Sequence, residues 1–110
     1  MTVRELMEKL DLVLLAGDQG LDREIDGCYI GDLLSWVMAR ARSGNVWLTV
    51  MGNVNAIAVA SLTDCACIVL TESAALDENA RVRAQQQEIP VLTTEKNSYQ
   101  VGVAIAGLLN

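Results

Sequence analysis

The chain has 110 residues, of which 52% are apolar and 20% charged; eight Lys and Arg face 14 Asp and Glu, for a formal net charge of −6. That length corresponds to one domain over residues 1–110, and the apolar content excludes a disordered chain. The acidic balance offers no basic patch for a nucleic acid, and the lack of any histidine removes the commonest general base and metal ligand.

Thr2 and Glu5 have the spacing of a capping box, and Leu6, Met7 and Leu10 follow at helical spacing, which predicts a helix over 3–10. Leu12–Leu15, closed by Ala16-Gly17, reads as a strand, and Gly17–Gly20 as a turn. Glu24–Ile30 alternates loosely and predicts a second strand. Asp32 is the expected N-cap of a helix over 33–42, whose basic Arg40 and Arg42 suit its negative end. Asn45–Met51, rich in β-branched and aromatic residues, is the strongest strand pattern. Val54–Leu62 is apolar almost all round, and its alanines favour a buried helix. Cys67–Leu70 predicts a buried strand, Asp77–Gln87 a polar-faced helix, and Pro90–Thr93 a short strand. Asn97 or Ser98 caps a last helix that contains Tyr99, Val101, Ala104, Ile105, Leu108 and Leu109.

Strands that alternate with helices imply a parallel sheet with helices on its faces, and parallel strands buried on both sides read as continuous apolar runs. The expected fold class is therefore α/β: a small three-layer-like domain with a mainly parallel sheet flanked by helices. Glu5, Glu8 and Lys9 interrupt any signal-peptide core. The longest apolar stretches fall short of the about 20 residues that span a bilayer, so a cytoplasmic protein with no membrane partner is expected. Three cysteines, Cys28, Cys65 and Cys67, are an odd set for a disulfide framework. Cys65-Ala66-Cys67 lacks the two-residue spacer of a zinc or redox motif. They read as small buried apolar residues, and neither a metal nor a cofactor is implied.

No catalytic constellation is found. Thr49, Ser61 and Ser98 lack a nucleophile elbow, and the pairs Asp22/Glu24 and Glu24/Asp26 lie in an acidic surface region. Ligands of parallel α/β sheets sit beyond the carboxyl ends of the strands, where helix N-termini offer unpaired N–H groups. Three such ends supply the candidate ligand-binding residues: Gly52, Asn53 and Asn55; Thr71, Glu72 and Ser73; Thr93 and Thr94 with Ser98. The same residue types serve ordinary turns and caps. Charge is uneven along the chain: residues 1–32 hold eight acids and three bases, whereas 33–64 hold one acid and two bases. An acid-poor middle with two helices of few polar residues, Val54–Leu62 and Val101–Leu109, suggests that a further surface covers them. A twofold self-contact is the commonest solution.

Val46–Gly52, Val54–Leu62, Cys67–Thr71, Leu76–Gln87 and Ile89–Thr94, led by Gly20–Gly27, follow one another as in a known family. In that order and spacing the chain resembles the DRTGG domain, the small α/β module also found at the N-terminus of the bacterial HPr kinase/phosphorylase. Two motifs depart from it. Thr71-Glu72-Ser73 stands where the family often has Thr-Gly-Gly, and Met51–Asn55 stands where many members carry glycine with Asp-Arg. The resemblance implies a non-enzymatic regulatory or assembly module. The chain has no P-loop and no room for a kinase domain. The expected function is the binding of a small polar metabolite or nucleotide at the strand ends by a homodimer. The alternatives are an assembly subunit with a protein partner and no small ligand, and a small enzyme acting on a phosphorylated metabolite.

Overall fold

The computed structural model describes residues 1–109. It contains five strands, β1 (Val13–Ala16), β2 (Cys28–Ile30), β3 (Val46–Thr49), β4 (Cys67–Leu70) and β5 (Val91–Thr93). Five α-helices surround them: α1 (Val3–Lys9), α2 (Leu34–Arg40), α3 (Val54–Thr63), α4 (Glu78–Gln86) and α5 (Ser98–Leu109). A short 3₁₀ turn at Asp18–Gly20 follows β1. The strands form one sheet in the order β1-β5-β4-β3-β2. β2 to β5 are parallel, in register from Cys28 opposite Val46 and Val46 opposite Cys67 to Ile68 opposite Val91. β1 is antiparallel to β5, with Val13 opposite Thr93 and a register shift before Ala16. The expected α/β class with a mainly parallel sheet is the observed one.

The three crossovers all step the same way along the sheet. A constant crossover hand therefore places α2, α3 and α4 on a single face. There Val37, Ala56, Ile57, Ala60, Ala80 and Ala84 pack against Trp47, Ile68, Leu70 and Val91. The other face carries α1 and α5, whose Val3, Leu6, Val101 and Ile105 cover Val46, Leu48, Val69 and Leu92. Every residue of β3 and β4 is buried, which accounts for their unbroken apolar runs. Each of these Leu, Ile or Val side chains contributes about 1.5–3 kcal/mol on burial. Trp47 is fully buried, and its indole N–H donates to the Gly31 carbonyl at 2.8 Å.

Local chemistry explains the helix ends. The Thr2–Glu5 capping box forms in both directions. α5 starts with another such pair: Asn97 Oδ1 accepts from the Gln100 N–H at 2.9 Å, and Gln100 Oε1 accepts from the Asn97 N–H at 3.1 Å. Asn97 rather than Ser98 is therefore the cap. α2 departs from expectation, since its N-cap position is Leu33, with no side-chain cap. Asp32 Oδ1 accepts instead from Thr49 Oγ1 at 2.7 Å and from the Val50 N–H at 3.0 Å. Closing off the end of a buried strand, where Thr49 is 1% exposed, outweighs capping a solvent-facing helix, because an unpaired buried hydroxyl costs about 1–3 kcal/mol. α3 is not covered all round. It buries Ala56, Ile57, Val59 and Ala60 and leaves Asn55, Ala58, Ser61 and Leu62 in solvent. Among the described residues no helix is long and apolar enough to cross a membrane.

Candidate functional site

The carboxyl ends of β3, β4 and β5 lie side by side, and each of the expected strand-end groups has a definite place there. At β3, the backbone approach between Gly52 and the next crossover is very close. A Cβ on Gly52 would lie 1.8 Å from the Ala75 carbonyl oxygen, and the Gly52 carbonyl accepts from the Asp77 N–H at 2.8 Å. Asn53 caps α3, its Oδ1 accepting from the Ala56 N–H at 2.9 Å. Asn55 is exposed on the first turn of that helix. The Gly52–Asn55 group thus holds the turn into α3.

The ends of β4 and β5 come together. Glu72 and Ser73 both adopt left-handed backbone, with φ of 56° and 55°. Each such non-glycine residue costs on the order of 1 kcal/mol. Two hydrogen bonds hold them there: the Glu72 N–H donates to the Lys96 carbonyl and the Ser73 N–H to the Thr94 carbonyl, both at 2.9 Å. The Thr94 N–H in turn donates to the Leu70 carbonyl at 3.1 Å. Thr71 is fully buried, and its hydroxyl meets that of Ser98 at 3.1 Å. This positive φ at two successive positions gives a physical reason for glycines at the same place in similar sequences.

Beside this pair of loops lies a cleft of about 440 Å³, lined by Leu10, Asp11, Val13, Ser73, Thr93, Thr94, Glu95 and Lys96. Four of the nine expected residues sit at or beside its wall through their own side chains or backbone: Ser73, Thr93, Thr94 and, by its bond to the Lys96 carbonyl, Glu72. Thr71 and Ser98 lie behind the wall, and the Gly52–Asn55 group is not part of it. Among the described residues the Ser73 and Thr93 hydroxyls have no hydrogen-bond partner, and the Thr94 hydroxyl accepts from the Lys96 N–H at 3.2 Å. Lys96 is the one cation of the lining, against the carboxylates of Asp11 and Glu95. A second hollow of about 310 Å³ lies on the other side of Thr93, with Leu15, Leu76 and Arg81. Its cation is committed, since Glu78 holds the Arg81 guanidinium in two hydrogen bonds at 2.6 and 2.9 Å.

The residues missed in the sequence are Leu10, Asp11, Val13, Glu95 and Lys96. The first three enter only because β1 runs antiparallel beside β5, and nothing in Leu12–Leu15 states its partner. No group of His, Cys, Asp and Glu among the described residues could hold a metal ion. Burial pushes the Cys28 thiol up to about 11 and raises Cys65 and Cys67 as well. All three are therefore protonated at neutral pH and poor nucleophiles.

Comparison with known proteins agrees with the fold. The model of the DRTGG domain matches residues 5–108. No curated protein matches the chain. Among solved structures, the fold is similar to a crystal structure of the CBS and DRTGG domains of the regulatory region of Clostridium perfringens pyrophosphatase, complexed with the activator diadenosine tetraphosphate. The TM-score is 0.76 at 10% identity over 94% of this chain. The match spans 45% of that structure's chain, less than half of it.

Proposed function

The chain belongs to the DRTGG domain family, and from that premise we propose that it is a non-enzymatic regulatory module. In this reading it holds a small polar metabolite or nucleotide in the cleft between β1 and the ends of β4 and β5, and it works as a homodimer. One observation carries the ligand reading: a 440 Å³ hollow at the carboxyl ends of parallel strands, the place where such sheets bind ligands, with the Ser73 and Thr93 hydroxyls in its wall unpartnered among the described residues. The activator bound in the similar regulatory structure supports a nucleotide as the class to try first. Lys96 beside two carboxylates favours a ligand of low charge. A polyphosphate chain would bring several negative charges to one cation and two acids, at about 4 kcal/mol per close pair near a protein surface.

The test is thermal unfolding with nucleotides, dinucleotides and phosphorylated metabolites. A ligand at ten times its Kd adds about 1.4 kcal/mol, which raises Tm by roughly 5–10 °C in a domain of this size. Ser73→Ala and Lys96→Ala should each reduce that rise while leaving the unliganded Tm within about 2 °C, since both side chains are exposed. No rise with any compound would remove the ligand reading and leave an assembly module.

A further inference from the structure

The sheet has two edges, and they are finished differently. At one, β1 carries a register shift within its own ladder, between Leu14 and Ala16. At the other, β2 carries no charge and no proline, and among the described residues no strand pairs with its outer side. The Val46 N–H donates to the Gly27 carbonyl and the Gly31 N–H to the Leu48 carbonyl. Alternation along the strand then turns the N–H and C=O groups of Cys28 and Ile30 away from β3. Such an edge is a template for another strand, and proteins usually blunt it with lysine, proline or a bulge.

The side chains beside this edge are apolar. Cys28 and Ile30 face α5, where with Tyr99, Gly102, Val103 and Ala106 they form a shallow hollow of about 310 Å³. Gly102 lets α5 lie directly on the strand, since a Cβ there would be 3.2 Å from Ile30 Cδ1. Tyr99, Val103 and Ala106 follow at helical i, i+4, i+7 spacing, a stripe fit for a second helix. Tyr99 is 77% exposed, Val103 55% and Ile30 51%; Leu33 and Trp36, which follow β2 on the opposite face, are 59% and 56% exposed. With aromatic side chains of about 150–250 Å² each, these five present several hundred Å² of apolar surface, the scale of one partner's share of a specific interface, about 800 Å².

From these features we infer that the β2 edge and the outer stripe of α5 form a twofold interface with a second copy of this chain. This rests on the homodimer of the proposed function and assigns it a surface. An antiparallel meeting of two β2 strands about an axis at Tyr29 places Cys28 opposite Ile30 of the other copy, and Ile30 opposite its Cys28. Each Cys28–Ile30 pair exchanges two backbone hydrogen bonds. The same axis sets the two α5 helices side by side on one face of a continuous sheet. Charge selects a second copy over a charged partner. The whole chain carries −6, so two copies can meet only where that charge is absent. Neither Cys28–Ile30 nor Ser98–Leu109 contains a charged residue. A self-complementary strand edge with its own flanking helix is what an isologous contact requires.

The experiment is the mass in solution of the full chain over a concentration series, with amide exchange followed at Cys28 and Ile30. Expected are a dimer and exchange at both amides that slows as concentration rises. Val103→Glu should weaken the dimer at least 100-fold, whereas Leu62→Glu, at the 73% exposed position on α3, should leave it unchanged. Circular dichroism checks that both variants fold; should Val103→Glu not fold, the concentration-dependent exchange of the unsubstituted chain decides. A dimer with fast, concentration-independent exchange at Ile30, or one abolished by Leu62→Glu, overturns the assigned surface while the homodimer stands. A monomer at every concentration overturns both, and leaves the ligand reading to its own thermal test.

Discussion

A single methyl group has opposite consequences at two glycines of this chain. At Gly52 it would meet the Ala75 carbonyl oxygen at 1.8 Å, a backbone atom that cannot step aside. At Gly107, inside α5, nothing lies within 4 Å of it. Gly52→Ala should cost about 1–3 kcal/mol through forced separation of the two crossovers. Gly107→Ala should add about 0.5–1 kcal/mol by restricting the unfolded chain and favouring helix. Urea unfolding of both variants checks the pair; equal effects would mean that the approach at Gly52 is not as tight as described.

At the scale of elements, α5 depends on its entry. Asn97 and Gln100 satisfy two backbone N–H groups reciprocally, so Asn97→Ala should cost about 1 kcal/mol. It should also loosen the Glu95–Lys96 loop that borders the cleft, seen as faster amide exchange at Glu72 and Ser73. These elements show what a sequence can carry. Capping boxes, apolar runs and acid-started helices are local signals, and all five helices and four of the strands stand where their own residues indicate, whereas the strand expected over Glu24–Ile30 is only Cys28–Ile30. Partner choice is not local. Asp32 has the composition of a cap, but its acceptor is used by Thr49 and Val50, seventeen and eighteen residues on. Leu12–Leu15 reads as a strand without stating that it runs against β5, and so Leu10, Asp11 and Val13 could not be placed at the cleft. Ser73, Thr93 and Thr94 could be, because carboxyl ends of parallel strands are fixed by topology. The sheet accounts for only part of the apolar excess of α3: it covers Ala56, Ile57, Val59 and Ala60 and leaves Ala58 and Leu62 in solvent.

For the molecule as a whole, pH acts in two directions. Lowering it from neutrality towards the pI of about 4.4 relieves the repulsion of a chain at −6. Further acidification removes specific bonds. Hydrogen bonds from Ser43 and Arg23 hold Asp64 below the usual carboxylate range, and those from Thr2 do the same for Glu5. A lowered folded pKa means that the unfolded chain binds the proton more readily. The associated stability is present above about pH 4–5 and lost as pH falls through the folded value. Asp64 sits at φ 57°, a conformation asparagine also accepts. Asp64→Asn should therefore lower stability at pH 7 by about 0.5–1 kcal/mol and make the loss below pH 4 shallower. Unfolding curves from pH 7 to 2.5 test this; an unchanged acid limb would show that Asp64 titrates alike in both states.

The pairing of Val13 with Thr93 joins positions 80 residues apart. β2 to β5 are each linked to their neighbour by one helix, so their ladders close short loops, whereas the β1–β5 ladder closes most of the chain. Loop entropy delays such a contact. The wall contributed by Leu10, Asp11 and Val13 is then the last part of the cleft to be set during folding and the first to be released in partial unfolding. On the ribosome, β1 emerges before β5 and has no strand to pair with until β5 has been made. Occupancy of the cleft would therefore report the completion of the chain's longest-range strand pairing, and a bound ligand would act as a latch on a late step of its own receptor's assembly.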